Sequence, residues 1–121
     1  MRSLFSGRFD PPHPGHIASI LRLEKKGPVT VVILDYPERS YPLEYVRTIF
    51  SEIFEKHDIK VVTNKTHFAE IDKKEFLSFK CDKYASGNLT VLKHIEELGV
   101  PVIYCDRAYE YSARNIKRVL D

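Results

Sequence analysis

Two histidines near the start of the chain, His13 and His16, have the side-chain type and the spacing of groups that act together on an anion. They stand three residues apart, so they share one face if the segment is helical. Imidazoles donate hydrogen bonds, and the first turn of a helix adds unpaired backbone N–H groups and the positive end of the helix dipole. The pattern therefore predicts a phosphate site at the start of the first helix.

The elements that would position these histidines lie directly on either side of them. A short apolar segment, Leu4-Phe5, ends in Ser6-Gly7. From Ile17 onward, apolar residues recur at helical spacing. This order predicts a strand, a glycine turn and then a helix that carries both histidines on its first turn.

The ten residues 7–16 resemble a family signature. They are similar to the Gly-X-Phe-Asp-Pro-X-His-X-Gly-His motif of the nucleotidyltransferase superfamily, the cytidylyltransferase-like and adenylyltransferase enzymes. The matching positions are Gly7, Phe9, Asp10, Pro11, His13, Gly15 and His16. The resemblance implies that His13 and His16 are catalytic, with His16 stabilising the transition state. It implies nucleotide contacts by Ser6, Gly7, Arg8, Phe9, Asp10 and Gly15, with Asp10 fixing the turn and a histidine rather than acting as a base.

A second segment, 111–118, resembles another signature of the superfamily, Ile-Ser-Ser-Thr-X-Ile-Arg. Ser112 and Ile116 match it, and Lys117 keeps the charge of the final arginine. Cations crowded at a helix start repel one another and oppose the helix dipole, which a bound polyanion would reverse. The resemblance implies a catalytic role for Lys117 and triphosphate contacts by Tyr111, Ser112 and Arg114. Whether Arg114 replaces the threonine of the signature stays open.

Two further likenesses concern the loops that follow other strands. The segment 39–47 resembles a basic loop and helix start of the same enzymes, which implies that Arg39 and Arg47 bind the acceptor phosphate. For Arg47, an exposed helix arginine paired with Glu44 is an equally open interpretation. The segment 82–88 resembles the stretch that abuts the base and ribose, which implies that Gly87 contacts the nucleotide.

Strand and helix patterns alternate along the whole chain. Strand patterns occupy 4–7, 29–34, 59–62, 82–87 and 100–105, and helical patterns follow each of them, the last at 112–120. Alternation of this kind is typical of right-handed βαβ units. We expect an α/β fold in which 1–121 form a single Rossmann-like domain, with a five-stranded parallel sheet and helices on both faces. Ligands of such sheets bind at the carboxyl ends of the strands.

Composition limits the classes of function that are open. The net charge of +2 is too small to favour nucleic acid as a partner. No apolar run approaches the roughly 18 residues of a membrane span, and no secretory signal is evident, so we expect a cytoplasmic protein without membrane contact. The two cysteines, Cys81 and Cys105, lack metal-ligand spacing. A homodimer is expected because a partner would cover a shallow pocket.

The resemblance implies a nucleotidyltransferase that moves a nucleoside monophosphate from a nucleoside triphosphate to a small phosphorylated acceptor and releases pyrophosphate. Mg²⁺ would enter with the triphosphate. Residues 7–13 favour adenylyl transfer, whereas the short chain and its Ser-X-X-X-Ile-Lys ending favour a cytidylyltransferase of the glycerol-3-phosphate type. The altered 111–118 segment favours a third alternative, a nucleotide-binding sensor without turnover. The acceptor and the choice between ATP and CTP stay open.

Overall fold

Apolar and β-branched segments form a five-stranded parallel sheet within residues 1–105, the part of the chain that this computed structural model describes. The strands are β1 (Ser3–Gly7), β2 (Val29–Leu34), β3 (Ile59–Asn64), β4 (Lys83–Ser86) and β5 (Val102–Tyr104). The helices are α1 (Pro14–Glu24), α2 (Leu43–Ile53), α3 (Lys73–Ser78) and α4 (Leu89–Glu97). The predicted α/β fold, with its five-stranded parallel sheet, is confirmed.

The strands lie in the order β3-β2-β1-β4-β5, and every neighbouring pair is parallel. The chain moves outward from β1 to β2 and β3, and then returns to place β4 on the other side of β1. The direction of winding therefore reverses between β1 and β4. In open parallel sheets such a reversal opens a crevice at the carboxyl ends of the two strands, which here are Gly7 and Ser86.

Each face of the sheet has its own buried core, because successive side chains of a strand point to opposite faces. On one face Phe5 packs in a cluster with Ile20 of α1 and Phe50 of α2. On the other face Leu4 belongs to a cluster that includes Ile95 of α4. Burying a side chain of this size contributes roughly 1.5–3 kcal/mol. The helices therefore cover both faces, as expected.

Side-chain caps explain where two of the helices begin. The Asp72 carboxylate accepts a hydrogen bond from the Glu75 amide at 2.7 Å and begins α3. The Asn88 side-chain oxygen accepts from the amides of Thr90 and Val91 and begins α4. The Asp72 cap fixes the start of α3 in the least regular part of the sequence. The Asn88 cap fixes the start of α4 after the end of β4.

Some boundaries differ from the predicted ones, and the fifth strand differs most. The strand begins at Val102 rather than at residue 100, because the Val100 amide donates to the carbonyl of Ile95 and completes the end of α4. The predicted closing helix at 112–120 lies outside the described residues, so a single domain over 1–121 stays a prediction. Among residues 1–105, no helix has the length and apolar character needed to cross a membrane.

Candidate active site

The first turn of α1 is capped by the two histidines themselves. His13 is the N-cap, and its Nδ1 accepts a hydrogen bond from the Gly15 amide at 3.1 Å. His16 reaches back, and its Nδ1 accepts from the His13 amide at 3.3 Å. This is the reciprocal arrangement of a capping box, with imidazoles in place of a hydroxyl and a carboxylate. Pro14 at the first helical position has no N–H to satisfy, which suits it to this start.

The caps determine which ring nitrogen of each histidine carries the proton. A neutral imidazole whose Nδ1 accepts a hydrogen bond is protonated at Nε2. Burial, and to a smaller extent the neighbouring His13, lower the pKa of His16 to about 4. Burial also lowers the pKa of His13. Both rings are therefore neutral at pH 7, and each has an Nε2–H left to donate.

The two rings are held close together by stacking. Their centroids lie 3.7 Å apart with an angle of 29° between the ring planes. The His16 and Phe9 rings meet edge to face, with their centroids 4.8 Å apart and an angle of 88° between the ring planes. Contacts of this kind restrict side-chain rotation, so the two donors are fixed relative to each other before any ligand arrives.

Phe9 is the packing centre of the turn between β1 and α1. Its side chain is 2% exposed, and its backbone adopts the left-handed region at φ 50°. The ring fills the space above Gly7, where an added Cβ would lie 3.0 Å from the ring. Glycine is therefore favoured at position 7, because a Cβ there would crowd the Phe9 ring. Phe9 acts on the site by supporting His16.

Asp10 fastens the loop after β2 to the turn after β1. Its two carboxylate oxygens accept hydrogen bonds from the backbone amides of Ser40, at 2.8 Å, and Tyr41, at 2.7 Å. The Ser40 amide is the largest cause that lowers the pKa of Asp10, and the Tyr41 amide and two arginines act in the same direction. The hydrogen bonds of this carboxylate in the described structure go to a loop and not to a histidine. The expectation that Asp10 fixes a histidine is thereby corrected, because it fixes the loop at 40–41.

Arg39 fastens the same loop through a second set of hydrogen bonds. Its guanidinium donates to the carbonyls of Leu34 at 2.8 Å, Tyr41 at 3.0 Å and Phe9 at 3.3 Å. Three of the five N–H donors of Arg39 are therefore committed to backbone oxygens. Arg39 joins the turn after β1 and the end of β2 to the loop between β2 and α2, and it brings a positive charge to the border of the site.

Two cavities meet at these residues. A cleft of about 620 Å³ is lined by residues 8–11, both histidines, Glu38 and Ser40. A smaller crevice of about 160 Å³ lies between the ends of β1 and β4 and is lined by residues 5–7 and 86–88. His16 and Phe9 line both of them. His16 therefore stands at the junction between a cavity on the β2 side and a cavity on the β4 side.

A network of hydroxyl groups joins the end of β1, β4 and the start of α4 beside the smaller crevice. The Tyr84 hydroxyl lies 2.6 Å from the Ser6 hydroxyl, so it ties the end of β1 to β4. Burial raises the pKa of Tyr84 to about 12, which keeps the phenol protonated. Ser86 in turn accepts a hydrogen bond from the Asn88 amide at 3.0 Å, at the start of α4. Tyr84 and Ser86 were not predicted from the sequence, because a tyrosine inside an apolar strand pattern gives no local sign of a partner 78 residues away.

The remaining sequence-predicted residues are partly brought together. Arg8 lies at the cleft, with its guanidinium carbon 4.6 Å from the centre of the Tyr36 ring, a cation–π arrangement. Gly15 is buried within the first turn of α1, and Gly87 lines the smaller crevice. Arg47 lies apart from both cavities on the exposed side of α2, with its guanidinium 3.6 Å from the Glu44 carboxylate. That position fits the alternative of a paired helix arginine.

The predicted residues of the second signature cannot be placed. Tyr111, Ser112, Arg114 and Lys117 lie outside the described residues, so their roles stay predictions. Within residues 1–105, no group of three or more His, Cys, Asp or Glu side chains could hold a metal ion. Asp10 lines the cleft from the turn after β1. Both of its carboxylate oxygens already accept hydrogen bonds from backbone amides.

The comparison with known proteins agrees with this geometry. The profile of the family described as cytidylyltransferase-like matches residues 4–78, which is more than half of the chain and spans β1 through α3. A search among curated proteins found no match. With the two-histidine helix cap at the carboxyl end of β1, this match identifies the family: the chain belongs to the cytidylyltransferase-like family of nucleotidyltransferases.

Proposed function

We propose that this protein transfers a nucleoside monophosphate from a nucleoside triphosphate to a small phosphorylated acceptor and releases pyrophosphate. The observation that carries the proposal is the position of His16, which lines two cavities at once. A transfer reaction joins two substrates at one phosphorus atom. Because His16 lines both cavities, its N–H donor lies beside the position that the α-phosphate would have to take.

The proposed reaction needs little covalent work from the protein. An oxygen of the acceptor phosphate forms a bond to the α-phosphorus of the triphosphate, and the bond from that phosphorus to the bridging oxygen of the leaving pyrophosphate breaks. The acceptor phosphate is already ionised, so no general base is required. The protein contributes in-line positioning and hydrogen bonds to the oxygens on which charge develops.

Neutral histidines suit this role. The Nε2–H groups of His13 and His16 would donate to the α-phosphate oxygens, and because the caps hold both rings beforehand, no reorganisation would be needed at the moment of reaction. Lys117, Ser112 and Arg114 are proposed to hold the leaving pyrophosphate.

Mg²⁺ is proposed to enter with the triphosphate, where it would neutralise part of the phosphate charge. The described residues fit this mode better than a protein cage, since they offer no cluster of carboxylates.

The linings of the two cavities beside His16 favour one cavity for each substrate. The smaller crevice has the Asn88-capped start of α4 beside it and is proposed to receive the nucleotide. The larger cleft carries Arg8 and the loop fastened by Asp10 and is proposed to receive the acceptor phosphate. ATP is the proposed donor nucleotide, because residues 7–13 are similar to those of adenylyltransferases. CTP is the alternative that the family resemblance keeps open.

Pyrophosphate release tests the proposal directly. The protein is incubated with Mg²⁺, ATP or CTP, and a panel of phosphorylated metabolites, each matched with its dephosphorylated form as a control. We expect release with one triphosphate and a phosphorylated acceptor and none with the dephosphorylated form. Calorimetry with each triphosphate separates ATP from CTP. Tight binding of a triphosphate with no release for any acceptor would contradict turnover and favour the sensor alternative, to which the altered 111–118 segment points.

A further inference from the structure

A second cavity lies at the opposite edge of the sheet from the candidate active site. It has a volume of about 450 Å³, and residues at the amino ends of the strands line it. Arg2 precedes β1, Thr30 is the second residue of β2, and Lys60 is the second residue of β3. Because the strands are parallel, their amino ends are separated from the histidines by the length of the sheet. We call this space the amino-edge cavity.

The amino-edge cavity exists because α3 is short. Thr30 faces the same side of the sheet as Val32, which belongs to the core that α3 and α4 cover. The six residues of α3 end at Ser78, and the turn that follows it forms the cavity wall. Within residues 1–105, no other helix covers the amino half of β2 and β3 on this face.

Three cations from three separate elements converge on this cavity. They are Arg2, Lys60 and Lys80, and among residues 1–105 no carboxylate lines the space beside them. The ion pairs found within residues 1–105 involve none of the three. The nearby Asp82 carboxylate accepts from the backbone amide of Arg2, at 2.8 Å, rather than from a cationic side chain.

The Arg2 guanidinium is held in place, whereas much of its donor capacity is unused. Its Nη1 donates to the Val29 carbonyl and to the Thr30 hydroxyl, both at 3.3 Å. Nη1 is the donor in each hydrogen bond that this side chain makes with the described residues. The N–H groups of Nε and Nη2 therefore remain for a ligand. A fixed guanidinium with spare donors is suited to a phosphate group.

Part of the remaining cavity wall is apolar. Val62 of β3 and Phe79, the residue after α3, are half-buried and line the same space. A ligand that satisfies the whole cavity must therefore combine an anionic group with an apolar portion. The volume is in the range of sites for small organic molecules.

From these observations we propose that the amino-edge cavity binds a small organic phosphate, with the phosphate against Arg2, Lys60 and Lys80 and the organic portion against Val62 and Phe79. This would be a second site, separate from the one that carries out nucleotidyl transfer. The inference does not rest on the proposed function, because it uses none of the residues around His13 and His16.

Phenyl phosphate is a suitable probe, followed by ¹H–¹⁵N NMR of the full chain at constant ionic strength. We expect saturable shifts at the amides of residues 2, 30, 60 and 80, and weaker binding of inorganic phosphate, which lacks the apolar portion. Shifts at the cavity are read separately from any at residues 13–16. Shifts confined to residues 13–16, or no saturable shift at all, would overturn the proposal.

Two lysines allow a charge test with a matched control. The variant combining Lys60→Gln and Lys80→Asn removes two charges from exposed side chains, and asparagine tolerates the left-handed backbone of position 80, where φ is 57°. We expect its affinity for phenyl phosphate to fall about tenfold or more, as loss of charge-assisted hydrogen bonds predicts. Lys74→Gln removes an exposed charge from α3 outside the cavity and should leave the affinity within about twofold. Equal affinity in the double variant and in Lys74→Gln would refute the assignment.

The same phosphate chemistry occurs in soluble metabolites and in lipid headgroups. Sedimentation with phosphatidylcholine vesicles, with and without phosphatidic acid, distinguishes the two sources. Binding that requires phosphatidic acid and is lost in the double variant identifies a lipid headgroup. Failure to sediment, together with the NMR shifts, identifies a soluble phosphate.

Discussion

The depressed pKa of His16 has a direct consequence for stability as a function of pH. In the unfolded chain this imidazole takes up a proton at its ordinary pKa of 6.5, whereas in the folded protein the pKa is about 4. Between these values the unfolded state binds more protons, so the free energy of unfolding falls as pH falls. The contribution of His16 is fully present above pH 6.5 and is lost as the pH approaches 4. For one such group the loss between pH 7 and pH 5 is about 2 kcal/mol.

Urea unfolding at pH 7 and pH 5 measures this loss, and His16→Asn is the control. The asparagine oxygen can take the place of Nδ1 and accept the His13 amide, but it does not titrate in this range. We expect the wild type to lose about 2 kcal/mol more than the variant between the two pH values. His13, whose pKa is also lowered, remains in both proteins and adds to the slope of each. Parallel pH dependences would show that His16 is not held neutral by burial.

Three further predictions concern residues around the two histidines. Gly7→Ala brings a Cβ to 3.0 Å from the buried Phe9 ring, so urea unfolding should show a destabilisation of about 1–3 kcal/mol, and unchanged stability would contradict the packing argument. Asp10→Asn puts an N–H donor where a carboxylate oxygen now accepts a loop amide, so steady-state kinetics should show a larger rise in KM for the acceptor than fall in kcat. Equal changes would argue that the loop does not set the acceptor site. Tyr84→Phe removes the hydroxyl that is hydrogen-bonded to Ser6, so the free energy of unfolding should fall by about 1 kcal/mol. Calorimetry should also show weaker triphosphate binding, and wild-type affinity would contradict a role for Tyr84 at the crevice.

Much of the fold could be predicted because its signals are local. The β-branched segment 29–34 is a strand with the predicted bounds, since a strand buried on both faces has a continuous apolar sequence. The helices at 43–53 and 89–97 follow apolar spacing that is complete within each segment. The seven matching positions of residues 7–16 likewise lie within ten residues, and together they predicted the family.

The site's connections could not be predicted, because each joins residues that are far apart in the chain. The Asp10 carboxylate meets amides 30 and 31 residues later, and Arg39 donates to the Phe9 carbonyl 30 residues earlier. These hydrogen bonds show that both residues hold a loop in place. Their residue types alone do not indicate that role. The amino-edge cavity arises in the same way, from three strand beginnings and the end of α3. The sequence between 64 and 81 has weak periodicity, and the structure shows that α3 begins there at the Asp72 cap.

The central claim is that the Nε2–H of His16 donates to the phosphate in the transition state while its Nδ1 serves the helix cap. Two substitutions separate these functions, since Asn places an amide near Nδ1 and Gln places one near Nε2. Single-turnover pyrophosphate release by His16→Asn should be slower than wild type by about 10²–10³, the usual effect of losing one such donor. His16→Gln should retain a markedly higher rate than His16→Asn at equal folded fraction. A rate for His16→Asn close to that of wild type would contradict the account.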